Sequence, residues 1–149
     1  MKPILKQLVL ALAFLLPALG VQAADRIGKI KIASGDVSIT RDGVQIAAES
    51  GAELFEADVI TTGANSAVGM TFSDNSRVSL GPDSSLELEK FAHQKGSKDG
   101  FDLRIRHGSL TAASGEIAKT RPLAMRVLMP TTVLGVKGTE FAVRVGKSG

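Results

Sequence analysis

Turn-forming residues recur roughly every eight to twelve positions after Gly28, and this spacing restricts the possible folds more than any other feature of the chain. Between the turns lie short runs in which apolar and polar residues alternate, as in residues 68–72. Alternation with a period of two is typical of strands that bury one face. The pattern therefore predicts an all-β fold of many short antiparallel strands, arranged as a twisted sandwich or a solenoid-like sheet.

Residue types at several turns make the prediction more specific. Asp42-Gly43 stands between two alternating runs and predicts a tight hairpin, because both turn positions need positive φ. The turns 73–76 and 81–84 each contain Asp and Ser, whose side chains can bond nearby backbone groups. Residues 101–106 alternate cleanly, which predicts a wet face that includes Asp102. Residues 91–100 are expected to be the least ordered stretch, and their polar, glycine-rich part 94–100 is interpreted as a surface loop.

The first 23 residues differ from the rest of the chain. Lys2 and Lys6 precede an apolar run over residues 8–16, and small residues stand at Val21 and Ala23. This order predicts a signal peptide over residues 1–23 that is removed on export. An uncleaved anchor is the alternative, but the apolar stretch is shorter than the roughly 18 residues needed to span a bilayer. We therefore expect a periplasmic protein, with residues 24–149 forming a single β domain without a membrane span.

Cysteine is absent, which excludes disulfides, thiolate metal sites and acylation of a lipoprotein cysteine. The net charge of +3 includes the two lysines of the leader and falls to +1 without them. Nucleic-acid-binding proteins carry clustered basic surfaces, so this balance argues against a nucleic-acid partner. Tryptophan and tyrosine are absent as well, which disfavours recognition of sugars or bases by stacking.

Few residues suit catalysis. The chain has two histidines, His93 and His107, and its many serines stand at turn positions without a Gly-x-Ser-x-Gly elbow. Glu87 and Glu89 are close in sequence, but they share a strand face that we expect to be solvated, so the pattern does not favour glycoside hydrolysis. We predict a non-enzymatic protein with no catalytic residue.

Two turns carry oxygen ligands of the kind that calcium prefers. Asp74-Asn75 and Asp83-Ser84 lie in these turns, yet their spacing fits no twelve-residue EF-hand loop. Their side chains are also those that stabilise chain reversals. We therefore predict neither a metal site nor a cofactor.

Two stretches of the chain resemble a known family. The first comprises residues 58–68, 72–81 and 85–88, and it opens with Asp58-Val59-Ile60-Thr61-Thr62-Gly63. The second comprises residues 129–143 and includes Gly135-Val136-Lys137-Gly138-Thr139-Glu140-Phe141. Together they resemble the FecR domain, the periplasmic part of ferric-citrate-type signalling regulators, which is also found in many exported proteins. The resemblance spans about residues 28–145.

The resemblance implies a set of motif residues with structural roles. They are Asp58, Gly63, Asp74, Asn75, Ser76, Gly135, Gly138, Thr139 and Phe141. Gly135, Gly138 and Thr139 are expected to form a turn and not to bind a ligand. Asn75 stands where the family commonly has glycine, and asparagine is the best non-glycine residue for left-handed backbone.

The resemblance also implies a function. Regulators of this family carry a cytoplasmic anti-sigma segment and a membrane helix ahead of the domain, where this chain is expected to have a cleavable signal. We therefore expect a binding or scaffold module whose partner is another envelope protein, bound by strand addition at a sheet edge. The alternatives are a structural or assembly factor of the envelope, and a binder of a small ligand or polysaccharide through polar loops. The oligomeric state stays open.

Overall fold

The structure is a computed structural model that describes residues 24–138 and 140–147. The predicted signal peptide and Thr139 lie outside the described residues. The strands are β1 Arg26–Ser34, β2 Val37–Arg41, β3 Val44–Ala47, β4 Glu53–Phe55, β5 Val59–Thr62, β6 Ala67–Phe72, β7 Arg77–Leu80, β8 Ser85–Ala92, β9 Gly100–Ala113, β10 Met125–Leu128, β11 Val133–Val136 and β12 Glu140–Val145. A 3₁₀ turn spans Gly96–Lys98, and the helix α1 spans Glu116–Thr120.

These strands form one twelve-stranded sheet. One half has the order β3-β2-β5-β8, the other has the order β4-β1-β6-β7, and β9 joins the two. The first part of β9 pairs with β8 and β10, and its last part pairs with β7 and β12. Among the described strands, β10 with β9 is the single parallel pairing. The predicted all-β class is thus confirmed, as one curled and mainly antiparallel sheet.

A close backbone approach lies where β9 passes from one half to the other. Gly108 has φ +103, which favours glycine, and a Cβ there would overlap Ser84. The Ser84 hydroxyl accepts a hydrogen bond from the Ser109 N–H at 3.1 Å. The buried positions of β9 change phase here, from 101, 103 and 105 to 110 and 112. This irregularity lets one strand present an apolar face to both halves.

The inner faces of the two halves share one hydrophobic core. Its members from both halves include Ile30, Leu54, Met70 and Val78 on one side and Ile39, Ile60, Leu86 and Leu103 on the other. Phe101 lies at the centre of an aromatic group, with its ring centroid 4.7 Å from that of Phe72 and 4.9 Å from that of Phe91. Such pairs contribute about 0.5–1.5 kcal/mol each beyond their burial. The group ties β6 to β8 and β9.

Several predicted local features are present. Asp42 and Gly43 have φ +50 and +76, and Arg41 pairs with Val44 across them, which is the predicted hairpin. Strands β6, β7 and β8 follow one another through the two Asp- and Ser-containing turns.

Two predictions about residues 91–106 were wrong in detail. Phe91 and Ala92 belong to β8 and not to the least ordered stretch, because the Phe91 ring packs in the aromatic group. Asp102 is 7% exposed and does not face water. The parallel strand β10, which no local pattern foretold, places Arg126 beside it.

Candidate functional site

Asp58 is buried and holds the turn between β4 and β5. Its two carboxylate oxygens accept hydrogen bonds from Arg41 Nε and Nη2, both at 2.8 Å, and Oδ2 also accepts from the Phe55 N–H at 2.9 Å. The guanidinium of Arg41 lies 4.5 Å from the centroid of the Phe55 ring. The hydrogen bonds that Arg41 donates to Asp58 raise the pKa of Arg41 above its usual range, so the arginine stays charged. The two charges neutralise each other and fix the turn against β2.

A cleft of about 430 Å³ opens beside this ion pair, and Ala24, Asp42, Glu56 and Ala57 complete its wall. The polar groups of Arg41 and Asp58 are already bonded to each other. The Glu56 carboxylate accepts a hydrogen bond from the Phe91 N–H at 3.1 Å. The cleft therefore presents few unused polar groups to a ligand.

Asp74 lies in the turn between β6 and β7 and is fully buried. Its carboxylate accepts hydrogen bonds from the Ser76 N–H at 3.0 Å, the Ser76 hydroxyl at 2.7 Å and the Ile117 N–H at 3.3 Å. Its backbone carbonyl accepts from the Glu116 N–H at 2.7 Å. Asp74 therefore anchors the first turn of α1, which is distant in sequence, to the β6–β7 turn.

The other two residues of this turn strengthen the same junction. Asn75 has φ +67, the left-handed conformation predicted for it, and its Nδ2 donates to Glu116 Oε1 at 3.1 Å. The Ser76 hydroxyl accepts a hydrogen bond from the Gly115 N–H at 3.1 Å. A Cβ at Gly115 would overlap the Asp74 carbonyl and lie 2.8 Å from the Asn75 carbonyl carbon. The site is thus packed backbone to backbone and has no room for a ligand.

Gly63 connects three turns through its backbone. Its N–H donates to the Asp36 carbonyl at 2.9 Å, and its carbonyl accepts from the Asp83 N–H at 3.0 Å. The neighbouring Thr62 is buried, and its hydroxyl accepts from the Ser84 N–H at 2.9 Å. These bonds join the β1–β2, β5–β6 and β7–β8 connections at one corner of the sheet.

The described part of the C-terminal motif forms the predicted turn at Gly138 but not at Gly135. Gly135 lies within β11, paired with Arg126, so its assignment to a turn was wrong. A Cβ at Gly135 would lie 3.0 Å from Leu123 Cδ2, a tight contact with the end of a flexible side chain. Gly138 has φ +111 and follows the strand, as a turn glycine does. Phe141 lies in β12, half-buried against the core, and Thr139 falls outside the described residues.

The two histidines lie apart, in different contacts. His107 Nδ1 is 2.7 Å from the Asp83 carbonyl oxygen, and His93 Nε2 is 3.2 Å from Glu116 Oε2. The Nδ1 atom of His93 is buried without a hydrogen-bond partner. Over residues 24–138 and 140–147, no group of three or more His, Asp or Glu side chains is arranged to hold a metal ion.

The outer face of β8, β9 and β10 carries charges that are paired with one another. The pairs are Arg104 with Glu89 at 2.8 Å, Arg126 with Asp102 at 2.7 Å, and Arg106 with Glu87 at 3.5 Å. The hydrogen bonds that Arg104 donates to Glu89, and Arg126 to Asp102, raise the pKa values of both arginines above their usual range. Because each arginine already contacts a carboxylate, Glu87 and Glu89 are not a free acid–base pair.

Four strands have only one partner each among the described residues, and they differ in how their open edge is protected. In β4, Glu53 pairs with Arg26 at 3.0 Å, and β12 carries Glu140 and Arg144. Charged side chains on an edge oppose pairing with another chain. By contrast, β3 and β11 contain no charged residue.

Exposed apolar side chains concentrate at the two uncharged edges. Val44 and Ile46 on β3 are 61% and 37% exposed, and Val133 and Leu134 on β11 are 53% and 38% exposed. Leu123, next to β11, is 51% exposed. Sequence reasoning named none of these residues as functional. The sequence shows that β3 and β11 contain no charged residue, but it does not show that these two strands lie at sheet edges.

No helix within the described residues combines the length and the apolar character needed to cross a membrane. Among curated proteins and among solved structures, no match to the chain was found. The family model described as FecR protein matches residues 58–149, which is more than half of the chain. The match begins at Asp58, so β1 to β4 precede it, although they belong to the same sheet. On this match the chain belongs to the FecR protein family, a regulatory family associated with the cell envelope.

Proposed function

We propose that this chain is a non-enzymatic binding or scaffold module of the bacterial periplasm or cell envelope, and that it binds another envelope protein by strand addition. One observation carries the proposal, namely the two uncharged edge strands β3 and β11 with their exposed apolar side chains. Unprotected edges of this kind are templates for pairing with a further strand. A partner that covers an edge removes both its unpaired backbone groups and its apolar side chains from water.

The placement of the motif residues supports a structural role for them. Asp58, Gly63, Asp74 and Ser76 each bond to other parts of the same chain. Their polar groups form hydrogen bonds within the chain and are therefore not directed to a ligand. In this proposal the motif residues fix the connections between strands, and the partner protein binds at the edge strands that these connections hold in position.

Export is part of the proposal. Removal of residues 1–23 leaves Ala24 as the first residue, directly ahead of β1. Fractionation of the producing bacterium, with N-terminal sequencing of the periplasmic protein, tests this step. Protein that still begins at Met1 and stays in the inner membrane would contradict it.

Site-specific photo-cross-linking in the producing bacterium tests strand addition. A photoreactive phenylalanine analogue replaces Val133 on β11 or Val44 on β3, and a matched control replaces Val59, which lies between two paired strands. The proposal expects a cross-linked envelope protein from an edge position and none from Val59. Equal products from all three positions, or none from either edge, would contradict strand addition.

Two further measurements address the alternatives. A thermal-shift screen with metal ions and glycans is expected to leave the melting temperature unchanged, and a clear rise would favour a ligand-binding protein. The variants His93→Ala and His107→Ala are expected to keep the edge-dependent cross-link, because neither histidine lies on β3 or β11.

A further inference from the structure

We propose that the cleft beside the Arg41–Asp58 ion pair binds the α-ammonium group of Ala24, which exists only after the signal peptide has been removed. We call this cleft the β4–β5 cleft, after the turn that forms part of its wall. The inference rests on the export step of the proposed function and does not involve the strand edges. Removal of the signal peptide would thus supply the β4–β5 cleft with a ligand from the same chain.

Ala24 lies in the wall of this cleft because β1 and β4 are antiparallel neighbours. Arg26, at the start of β1, pairs with Phe55, at the end of β4. Two residues before Arg26 and two residues after Phe55, the chain reaches Ala24 and Ala57, and both of these alanines line the cleft. The processed chain therefore begins at the wall of the β4–β5 cleft.

The ionisable side chains around the cleft carry a surplus of negative charge. Arg41 is the one cation among them, and the carboxylates are those of Asp42, Glu56 and Asp58. Arg41 and Asp58 are joined by two hydrogen bonds of 2.8 Å and neutralise each other. Asp42 and Glu56 are left without a cation, so the cleft is suited to a positively charged group.

The two remaining carboxylates also have free hydrogen-bond acceptors. Within the described residues, the Asp42 carboxylate forms no hydrogen bond or ion pair. Glu56 uses Oε2 to accept from the Phe91 N–H at 3.1 Å, and its Oε1 accepts from no described group. An ammonium group has three N–H donors and no acceptor, so it complements these oxygens.

The turn that carries Glu56 is fixed in position. Ala57 has φ +74, a left-handed value that alanine rarely adopts, and its N–H donates to the Leu88 carbonyl at 2.7 Å. The Asp58 N–H donates to the Phe55 carbonyl at 3.2 Å. Backbone strain of this kind persists where the surroundings require it and is enriched at functional positions. A wall held in this way loses little conformational freedom when it binds a cation.

The amino group of Ala24 is the cation that this chain offers to the site. While Ala23 is attached, the Ala24 nitrogen is a neutral amide; after cleavage it is protonated below about pH 7.7–8.0. Because it is tethered at the cleft, its effective concentration is of millimolar order, above that of most dissolved amines. The adjacent charges are engaged or directed elsewhere, since Arg26 binds Glu53 at 3.0 Å and Asp25 lines a different cleft.

Titration of the Ala24 amino group tests the inference. The sample is the processed protein, residues 24–149, released from a fusion so that Ala24 is its first residue, and the ¹³Cβ signal of labelled Ala24 is followed from pH 6 to 10. We expect the pKa of this amino group to lie above about 8 in the folded protein and at about 7.7 in urea. In the double variant Asp42→Asn with Glu56→Gln, the folded protein should also give about 7.7.

Asp36→Asn is the matched control for Asp42→Asn. Asp36 and Asp42 are exposed turn residues at opposite ends of β2, and only Asp42 lines the cleft. The control should therefore keep the raised pKa of the amino group.

Thermal melts measure the consequence for the fold. A glycine added ahead of Ala24 displaces the ammonium by about 3.5 Å, and at pH 7 and low salt we expect the melting temperature to fall by about 1–3 °C. The same addition should have no effect in the double variant. Because the folded-state pKa is raised, the stabilisation is complete below about pH 7.7 and is lost as the pH rises through the folded-state value.

The possible results separate this inference from the proposed binding function. A folded-state pKa of about 7.7 in the wild type, or equal changes in the double variant and in Asp36→Asn, would overturn the inference. The proposed function would still stand if β3 or β11 gives its cross-link in the cell. N-terminal sequencing that finds a first residue other than Ala24 would overturn the inference together with the export step.

Discussion

Replacing Asp74 by alanine would remove the buried carboxylate that joins the β6–β7 turn to α1. The side chain is fully buried, and its loss leaves the N–H groups of Ser76 and Ile117 without an acceptor, while the Ser76 hydroxyl also loses its bond to Oδ2. A buried donor without a partner costs about 1–3 kcal/mol, so two such groups give about 2–6 kcal/mol. The Ile117 bond, at 3.3 Å, is longer than a typical N–H···O bond, and we therefore expect the lower half of that range.

The loss is large compared with the total stability of a domain of this size, which is about 5–15 kcal/mol. Urea unfolding followed by far-UV circular dichroism measures it, since the chain has no tryptophan or tyrosine for fluorescence. The midpoint should fall with an unchanged slope, because the folded state remains compact. Asp74→Asn keeps one acceptor oxygen for the Ser76 N–H and should lose less than Asp74→Ala.

Asp36→Ala is the matched control. Asp36 is an exposed turn aspartate in the β1–β2 connection, and no hydrogen bond or ion pair of its carboxylate occurs within the described residues. We expect its midpoint to stay within about 0.5 kcal/mol of the wild type, as for most surface changes. Equal losses for Asp36→Ala and Asp74→Ala would refute the reasoning, because burial and hydrogen bonding would then not determine the role of Asp74.

Three other changes have expected outcomes. Asp58→Ala should lower the unfolding free energy by at most about 3–5 kcal/mol, because Arg41 loses its bidentate partner. A double-mutant cycle with Arg41→Ala should show strong coupling between the two residues. Gly115→Ala should lower the free energy of unfolding by about 1–3 kcal/mol, because its Cβ overlaps the β6–β7 turn. Gly146 has open space around it, so Gly146→Ala should be neutral; thermal melts of both variants measure the difference. Arg104→Ala should have little effect on the urea midpoint, and added salt should erase what difference there is, because its ion pair with Glu89 is exposed.

The structural role of the family motif and the position of the open edges are connected. Gly63, Asp74 and Gly115 hold the connections between strands at fixed distances, so the sheet is shaped by its corners. The pairing order of the strands then determines which of them lie at an edge. Strand β11 lies at an edge because it pairs only with β10, which is itself attached to β9. A change at a corner is therefore expected to affect binding only indirectly, through stability.

Local patterns in the sequence determined the class of the fold and many of its turns. Alternation of apolar and polar residues reports the burial of one strand face, and it identified β6, β7 and β8 with little error. The Asp42-Gly43 hairpin and the left-handed Asn75 follow from the φ values that these residue types tolerate, so they could be predicted without knowledge of the fold.

Tertiary structure alone decided which strands are neighbours, and the surprises follow from that. Asp102 lies at an alternating position and still is buried, because β10 arrives in parallel beside β9 and brings Arg126 with it. Gly135 was interpreted as a turn residue and lies in a strand, because β11 pairs with β10 and places Gly135 opposite Arg126. Strand periodicity has a range of a few residues, whereas pairing joins segments dozens of residues apart. The identity of the open edges, and with it the candidate binding surface, is therefore a property of the folded sheet and not of any local stretch of sequence.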